Sequence, residues 1–343
     1  MSAPQSPAWS SSDHRDRFID ALRGTSALAV MLYHFNVGSY YPELTHWRRL
    51  TSYGYLGVAV FFVISGYCIG KSWLKSPGTG AFLGQRFRRI YPAYAASLGF
   101  IILCALVRKQ FGGTNDVARI PTTPASILAV LTLSTEPAST VPTMNRVYWS
   151  LTYEVFFYLV MGLVLCVPTI IRQRQALLGV HGAFCALALS GVSFTGTPLF
   201  FVNDWNFFAM GMGVCLVSVR APEALWFLSI SGVTLAANAA LGRLGPYDWA
   251  AMASVFLLLL PHRYIAPHPL VFLGRISYSL YLLHVPVALY VFLRLVRPLI
   301  GESRPRFALM QAVAAALVIA AATLFHRVFE KPFLHRRTQV VPA

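Results

Sequence analysis

The chain has 343 residues, of which 56% are hydrophobic and only 12% are charged, and its mean hydropathy is +0.59. Because soluble domains carry about twice that share of charged residues, the composition excludes an ordinary soluble domain and predicts a polytopic membrane protein. The net charge of +16 would indicate a nucleic-acid ligand in a soluble protein, but here the basic residues lie in short loops between apolar runs, so no nucleic-acid partner is expected.

Apolar runs of roughly 18–22 residues follow one another along the chain, and each is long enough to cross a ~30 Å hydrocarbon layer. Since backbone groups in lipid must bond within their own segment, each run predicts a helix. The expected fold is an all-α polytopic membrane protein with about ten transmembrane helices. These runs cover residues 21–38, 55–74, 90–107, 148–168, 176–193, 199–219, 224–241, 248–265, 276–296 and 307–328. A shorter apolar run near 127–134 predicts a half-helix tucked into the protein.

The polar ends of the chain predict its orientation. Residues 1–17 are rich in Ser and Pro and predict a disordered cytoplasmic tail, residues 18–335 form the transmembrane domain, and residues 336–343 form a C-terminal tail. An even number of spans puts both termini on one side, and that side carries more Lys and Arg, so the positive-inside rule predicts cytoplasmic termini. All five cysteines lie inside apolar runs, and no spacing predicts a metal site or a disulfide framework.

The first run contains two polar residues on one face. In DALRGTSALAVMLYHF, residues 20–35, Arg23 and His34 are eleven positions apart, which is about 20° beyond three full turns and about 16 Å along the helix axis. Arg23 alone is typical of an interfacial anchor. A histidine inside a span is a functional candidate because imidazole exchanges protons near neutral pH. The spacing predicts a polar track along this helix face.

Basic residues gather before the third run. Arg86, Arg88 and Arg89 stand immediately ahead of it, and Pro92 suits the first turn of a helix that begins near residue 90. In the second run, glycines such as Gly66 predict close approach of another helix.

Two later runs also carry polar groups at membrane depth. Glu154 stands inside the fourth run and must be neutral or partnered there, for instance with an arginine or with His34. In the ninth run, Ser277, Tyr281 and His284 follow an i, i+4, i+7 spacing, which predicts one helical stripe. Two classes of protein remain open on these grounds: a membrane enzyme, and a proton-coupled exporter or flippase that uses the two histidines and the glutamate as a relay.

Six segments resemble the acyltransferase-3 family of membrane-bound transacylases, which includes polysaccharide O-acetyltransferases. They occur in family order between residues 17 and 332. The segments are RFIDALRGTSALAVMLYHF, YLGVAVFFVISGY, RFRRIYPAY, YWSLTYEVFFY, LGRISYSLYLLHVP and FEKP. The resemblance implies an enzyme of the bacterial inner membrane that moves an acyl group, expected to be acetyl, from cytoplasmic acyl-CoA to a saccharide or glycolipid hydroxyl at the outer face. It implies no permanently bound cofactor.

The resemblance also implies roles for individual residues. His34 is expected to act as general base or as transient acyl carrier, with Glu154 orienting its imidazole. The family's arginine signatures match Arg23, Arg86 and Arg89, which are expected to bind the phosphates of acyl-CoA. Further residues are expected to line the site: Trp149, Ser277, Tyr281 and His284.

One position departs from the family pattern. Many relatives carry an acidic residue where this chain has Ala59. If that acid serves the reaction, another residue such as Glu154 must replace it.

Overall fold

The computed structural model describes residues 12–36, 45–110, 119–260, 267–296 and 304–334. Those residues form helices and connecting loops, with no β-strand among them. The first helices are α1 (Ser12–Asn36), α2 (Thr45–Thr51), α3 (Gly57–Trp73), α4 (Thr79–Gln110), α5 (Pro124–Leu131) and α6 (Trp149–Val164). The remaining ones are α7 (Ile170–Leu189), α8 (Trp205–Ser218), α9 (Ala224–Ala240), α10 (Pro246–Leu259), α11 (His268–Arg275), α12 (Ser277–Pro286), α13 (Arg304–Phe325) and α14 (Lys331–Leu334).

Short segments of other helix types connect these elements. A 3₁₀ turn at Ser52–Leu56 precedes α3 and another at Phe200–Val202 precedes α8, while π-helical segments follow α12 at Val287–Val296 and α13 at His326–Glu330. Helix α1 begins within the predicted N-terminal tail. The rest of that tail, and the predicted C-terminal tail, lie outside the described residues.

The all-helical membrane fold agrees with the prediction from hydropathy. In the described part of the chain, three helices are long and apolar enough to cross a membrane: His46–Trp73, Thr79–Gln110 and Leu309–Leu334. A fourth candidate is the bent pair His268–Arg275 and Ser277–Val291, whose axes meet at 74°. Several other apolar helices are shorter, so the count of ten spans and the cytoplasmic placement of both termini stay predictions.

Helix α4 begins eleven residues earlier than hydropathy predicts. The sequence places Pro92 in the first turn of a helix that starts near residue 90, but α4 starts at Thr79 and Pro92 lies inside it. The prediction was wrong because the polar stretch from Gln85 to Arg89 hides the first turns from a hydropathy profile. Proline there removes one intrahelical donor, the backbone N–H.

The predicted half-helix near residue 127 is α5. Pro124 occupies its first turn, and Thr123 and Ser126 exchange side chain to backbone hydrogen bonds as a capping box. These caps satisfy amide groups that a helix of eight residues would otherwise leave unpaired.

Glycine allows α3 and α8 to pack backbone against backbone. A Cβ on Gly66 would overlap the carbonyl oxygen of Phe208, and a Cβ on Gly211 would overlap that of Val63. Each helix contributes one glycine and one carbonyl group to this contact. A side chain on either glycine would therefore push the two backbones apart. Small residues at such interfaces are the usual means of close helix packing in membranes.

Glycines also allow α1 and α11 to pack backbone against backbone. A Cβ on Gly24 would overlap the carbonyl oxygen of Leu270, and a Cβ on Gly274 would overlap that of Asp20. Immediately after this contact the chain turns at Ile276, where the helical path changes direction between α11 and α12. The bend carries α12 along the far end of α1.

We expect Gly211→Ala to lower the free energy of unfolding by about 1–3 kcal/mol, because the added methyl group overpacks the contact between α3 and α8. Gly232→Ala is the matched control, since Gly232 in α9 has nothing within 4 Å of an added Cβ. Thermal unfolding of the two purified variants in detergent checks this. Equal melting temperatures for both would contradict the packing account.

Candidate active site

A cavity lies where five helices meet: α1, α3, α4, α6 and α12. It encloses about 610 Å³, including its opening to solvent. Its wall is mostly apolar but carries two guanidinium groups, one carboxylate and several hydroxyls. The lining residues are Arg23, Val58, Phe61, Phe62, Ser65, Arg89, Ile90, Ser150, Leu151, Glu154, Ser277, Tyr278 and Tyr281. Ligand pockets typically combine an apolar wall with a few placed polar groups in this way.

Arg23 and Arg89 are the cationic groups of this cavity. Both side chains are half-buried. Within the described residues, neither guanidinium has a hydrogen bond or an ion pair with a carboxylate. Glu154 and Glu330 interact electrostatically with Arg89 without a hydrogen bond to it. A guanidinium that is partly removed from water and has no hydrogen-bonded partner keeps its N–H donors available for an anionic ligand. The arrangement therefore suits a phosphate or another anion.

Arg86 lies near Arg89 on α4, outside the cavity wall. It is buried, donates to the Ser72 hydroxyl at 2.9 Å, and lies over the rings of Phe82 and Tyr158 at 5.8 Å. Its Nε–H is buried and has no partner among the described residues. A buried donor without an acceptor costs about 1–3 kcal/mol, a cost that an anion or water at this position would remove.

Glu154 faces the cavity from α6. Its Oε1 accepts hydrogen bonds from the Tyr158 hydroxyl at 2.6 Å and from the Ser65 hydroxyl at 3.3 Å. Its partners are therefore hydroxyls of α6 and α3, and no hydrogen bond with His34 exists among the described residues. Ala59, at the position where many relatives carry an acid, is fully buried in α3.

The stripe predicted on the ninth run is present on α12. Ser277 and Tyr281 line the cavity, and His284 lies one turn further along the same face. The Tyr281 hydroxyl donates to the carbonyl oxygen of Val147 at 2.8 Å and shares a 2.7 Å hydrogen bond with Ser150. These bonds fix α12 against the start of α6.

His34 and His284 meet at the end of this stripe. Nε2 of His284 lies 3.1 Å from Nδ1 of His34, and the ring centroids are 4.9 Å apart. Nδ1 of His34 also lies 2.9 Å from the Val30 carbonyl oxygen, and Nδ1 of His284 lies 3.2 Å from that of Leu280. Both carbonyl oxygens accept, so each histidine must carry its proton on Nδ1.

This tautomer assignment leaves one nitrogen available for chemistry. With its proton on Nδ1, neutral His284 accepts from His34 through Nε2, and Nε2 of His34 carries a lone pair. Within the described residues that nitrogen has no hydrogen-bond partner. A neutral imidazole held in one tautomer with a free Nε2 is the arrangement that a general base requires.

Aromatic contacts link the cavity to this pair. Phe61 and Tyr281 line the cavity with ring centroids 6.0 Å apart, and Tyr281 lies 5.7 Å from His284. The cavity wall therefore continues through Tyr281 and His284 to His34, although His34 itself does not line it. The structure brings Arg23, Arg89, Glu154, Ser277 and Tyr281 together in one cavity.

Four predicted residues lie around that cavity without lining it: Arg86, His34, His284 and Trp149. The Trp149 ring packs edge-on against Phe62 and Tyr153. Its neighbour Ser150 contributes to the wall in its place.

Sequence reasoning missed several wall residues, among them Ser65, Ser150 and Tyr278. Their signal is weak because serine and tyrosine are common in membrane helices. Sequence reasoning also missed the polar partners of Glu330. This residue is buried, accepts from Ser279 at 2.6 Å and contacts His326 at 2.9 Å.

Comparison with known proteins identifies the family of this chain. The family model Acyl_transf_3, described as an acyltransferase domain, matches residues 16–327. The chain belongs to the acyltransferase-3 family. This membership supports the enzyme over the exporter, the two classes that the polar residues alone left open.

Curated relatives agree with the family. Nodulation protein 10 of Rhizobium leguminosarum bv. viciae is 26% identical, over 96% of each chain. The O-acetyl transferase of Shigella phage Sf6 is 24% identical over 65% of this chain and 67% of its own. The putative membrane-bound transacylase BcsY of Komagataeibacter xylinus is 27% identical over 80% of this chain and 73% of its own. No solved structure matches the chain.

We expect His284→Leu to lower kcat for acyl transfer by about tenfold to a hundredfold with an unchanged KM for the acyl donor. The Val30 carbonyl still holds the His34 proton on Nδ1, but leucine removes the second acceptor of that N–H, which stabilises the imidazolium as it forms, and general base catalysis contributes roughly 10²–10⁴. His284→Gln keeps a side-chain acceptor and should recover part of the rate. Steady-state kinetics of the two purified variants check this. If the leucine variant matches wild type, the pairing has no catalytic role.

Proposed function

We propose that this acyltransferase moves an acyl group, expected to be acetyl, from cytoplasmic acyl-CoA to a hydroxyl of a saccharide or glycolipid acceptor at the outer face of the bacterial inner membrane. The observation that carries the proposal is a cavity that contains two guanidinium groups without hydrogen-bonded partners among the described residues and whose wall leads to an oriented imidazole. The relatives named O-acetyl transferase and transacylase support the reaction class.

The donor's phosphates would bind at the Arg23 and Arg89 end of the cavity. Arginine suits this ligand because its planar fork presents two N–H groups to a phosphate at once. Arg86 lies three residues before Arg89 on α4, and its buried Nε–H has no partner among the described residues. Arg86 would therefore extend this site. The acyl-bearing arm would then run along the cavity past Tyr281 toward the histidine pair.

Transfer would take place at His34. Its Nε2 would remove the proton from the acceptor hydroxyl as the oxygen attacks the thioester carbonyl carbon, and the carbon–sulfur bond would break as coenzyme A leaves as thiolate. The imidazolium would return its proton to that sulfur. The assigned tautomer leaves Nε2 free to act as this base, and His284, which accepts from Nδ1, stabilises the positive charge that forms on His34.

The vertical separation of the two functions supports transfer across the membrane. Arg23 and His34 are about 16 Å apart along α1, roughly half of the hydrocarbon thickness. With the N-terminus in the cytoplasm, the arginine would lie at the inner interface and the imidazole beyond the midplane. Donor and acceptor would therefore approach from opposite sides.

We expect Arg89→Gln to raise the KM for acetyl-CoA by about tenfold or more, because a charge-assisted bond to phosphate stabilises binding by roughly 1.5–3 kcal/mol. Arg88→Gln is the matched control, since this neighbouring arginine does not line the cavity. Transfer from radiolabelled acetyl-CoA in nanodiscs measures both. Equal effects of the two substitutions would contradict the donor site.

We expect His34→Asn to lower kcat at least a hundredfold while acetyl-CoA still binds, because asparagine keeps a hydrogen-bonding side chain and loses the base. His268→Asn controls for the loss of an exposed histidine elsewhere. Stopped-reaction product assays and equilibrium donor binding separate the two steps. Wild-type turnover in the His34 variant would overturn the mechanism.

A further inference from the structure

A row of three tyrosine rings leads from α10 to His34. The centroid of Tyr247 in α10 lies 5.5 Å from that of Tyr55, which lies 5.6 Å from Tyr33, which in turn lies 5.1 Å from the His34 ring. We call these three residues the tyrosine row. They come from three different elements: the start of α10, the 3₁₀ turn before α3, and the last turns of α1.

The hydroxyls of the tyrosine row differ from those of the tyrosines in the helix interior. Five interior tyrosines have hydroxyls bonded to protein groups. These are Tyr94, Tyr148, Tyr158, Tyr278 and Tyr281. In the row, all three rings are half-buried, and within the described residues none of their hydroxyls has a hydrogen-bond partner. Tyrosine that presents a ring and a free hydroxyl together suits an amphipathic ligand.

A carboxylate lies beside the row. Asp204, the residue before α8, accepts a hydrogen bond from the Tyr153 hydroxyl and interacts electrostatically with the phenol of Tyr247. Asp248 instead caps α10, where its Oδ2 accepts from the Gly245 N–H at 2.8 Å. Asp204 is half-buried, and its carboxylate has further lone pairs that can accept hydrogen bonds from a hydroxylated ligand.

We propose that the tyrosine row and Asp204 form the acceptor site and bind the rings of an uncharged saccharide. Pyranose rings present C–H faces that pack on aromatic rings, while their hydroxyls bond to phenols and carboxylates. The row ends at the imidazole whose Nε2 is unprotonated, so a sugar bound on it would bring a hydroxyl to the proposed base. This inference rests on the proposed function and adds the place where the saccharide acceptor binds and the residues that contact it.

The two sites carry different groups, which fits their different ligands. The cavity carries two guanidinium groups and suits an anionic donor. The row offers aromatic rings, phenol hydroxyls and one acid, a set that suits a neutral polyol.

The test is acceptor kinetics in nanodiscs with acetyl-CoA as donor. The probes are methyl β-D-glucopyranoside and cellobiose, and the comparison alcohol is cyclohexylmethanol, which has a primary hydroxyl on a ring without further hydroxyls. We expect acetylation of a sugar probe. Tyr55→Ala and Tyr247→Ala should raise the acceptor KM at least fivefold without changing the KM for acetyl-CoA.

Two further variants keep the result interpretable. Tyr53→Ala removes an exposed tyrosine from the same 3₁₀ turn and should change neither constant. Tyr55→Phe preserves the packing and removes only the hydroxyl, so an intermediate rise in acceptor KM is expected from it even where the alanine variant unfolds.

Failure of this inference is distinguishable from failure of the proposed function. If the wild-type protein binds acetyl-CoA but acetylates no sugar probe, or acetylates cyclohexylmethanol equally well, the saccharide site is overturned and the donor site stands. If acetyl-CoA does not bind, the proposed function fails and this site falls with it. A rise in donor KM alone in the Tyr55 variants would also overturn the assignment.

Discussion

The contact of α1 with α11 and α12 is the constraint on which the site depends. Gly24 and Gly274 allow the backbones of α1 and α11 to touch, and the bend at Ile276 then directs α12 toward the far end of α1. Only with that geometry do His34 and His284, 250 positions apart in the chain, come within 3.1 Å. A larger residue at either glycine would move the histidines apart before it touched the cavity.

The polar groups of the interior divide into two sets, one with hydrogen-bond partners in the protein and one without. Those around Glu154 and Tyr281 are paired with hydroxyls or backbone carbonyls, which is what burial at membrane depth requires. Arg23, Arg89 and Nε2 of His34 have no such partner among the described residues. Most polar groups of this interior have hydrogen-bond partners in the protein. Those that have none indicate where a ligand would bind.

Helical periodicity predicted those parts of the site that belong to a single helix. The shared face of Arg23 and His34 and the stripe of Ser277, Tyr281 and His284 follow from 3.6 residues per turn. Contacts between helices could not be read in this way. A carboxylate was the expected partner of His34, because carboxylates commonly orient imidazoles. The observed pairing of α1 with α12 depends on the bend at Ile276, which helical periodicity does not predict.

The fold shows the same division. Apolar runs located most helices, and α12 ends at Pro286, where proline removes a backbone donor. The larger bend lies ten residues earlier, at Ile276, two residues after Gly274. The start of α4 was missed because its first turns are polar. A hydropathy profile detects only the apolar part of a helix, and α4 begins before that part. Tertiary packing decided both features.

The most direct test of the whole account is an electron cryo-microscopy structure of the protein in nanodiscs with a thioether analogue of acetyl-CoA that cannot transfer its acyl group. The account predicts density for the phosphates against Arg23 and Arg89, and the acyl end of the analogue beside Nε2 of His34. Phosphates bound elsewhere, or an acyl end that points away from the histidine pair, would contradict it.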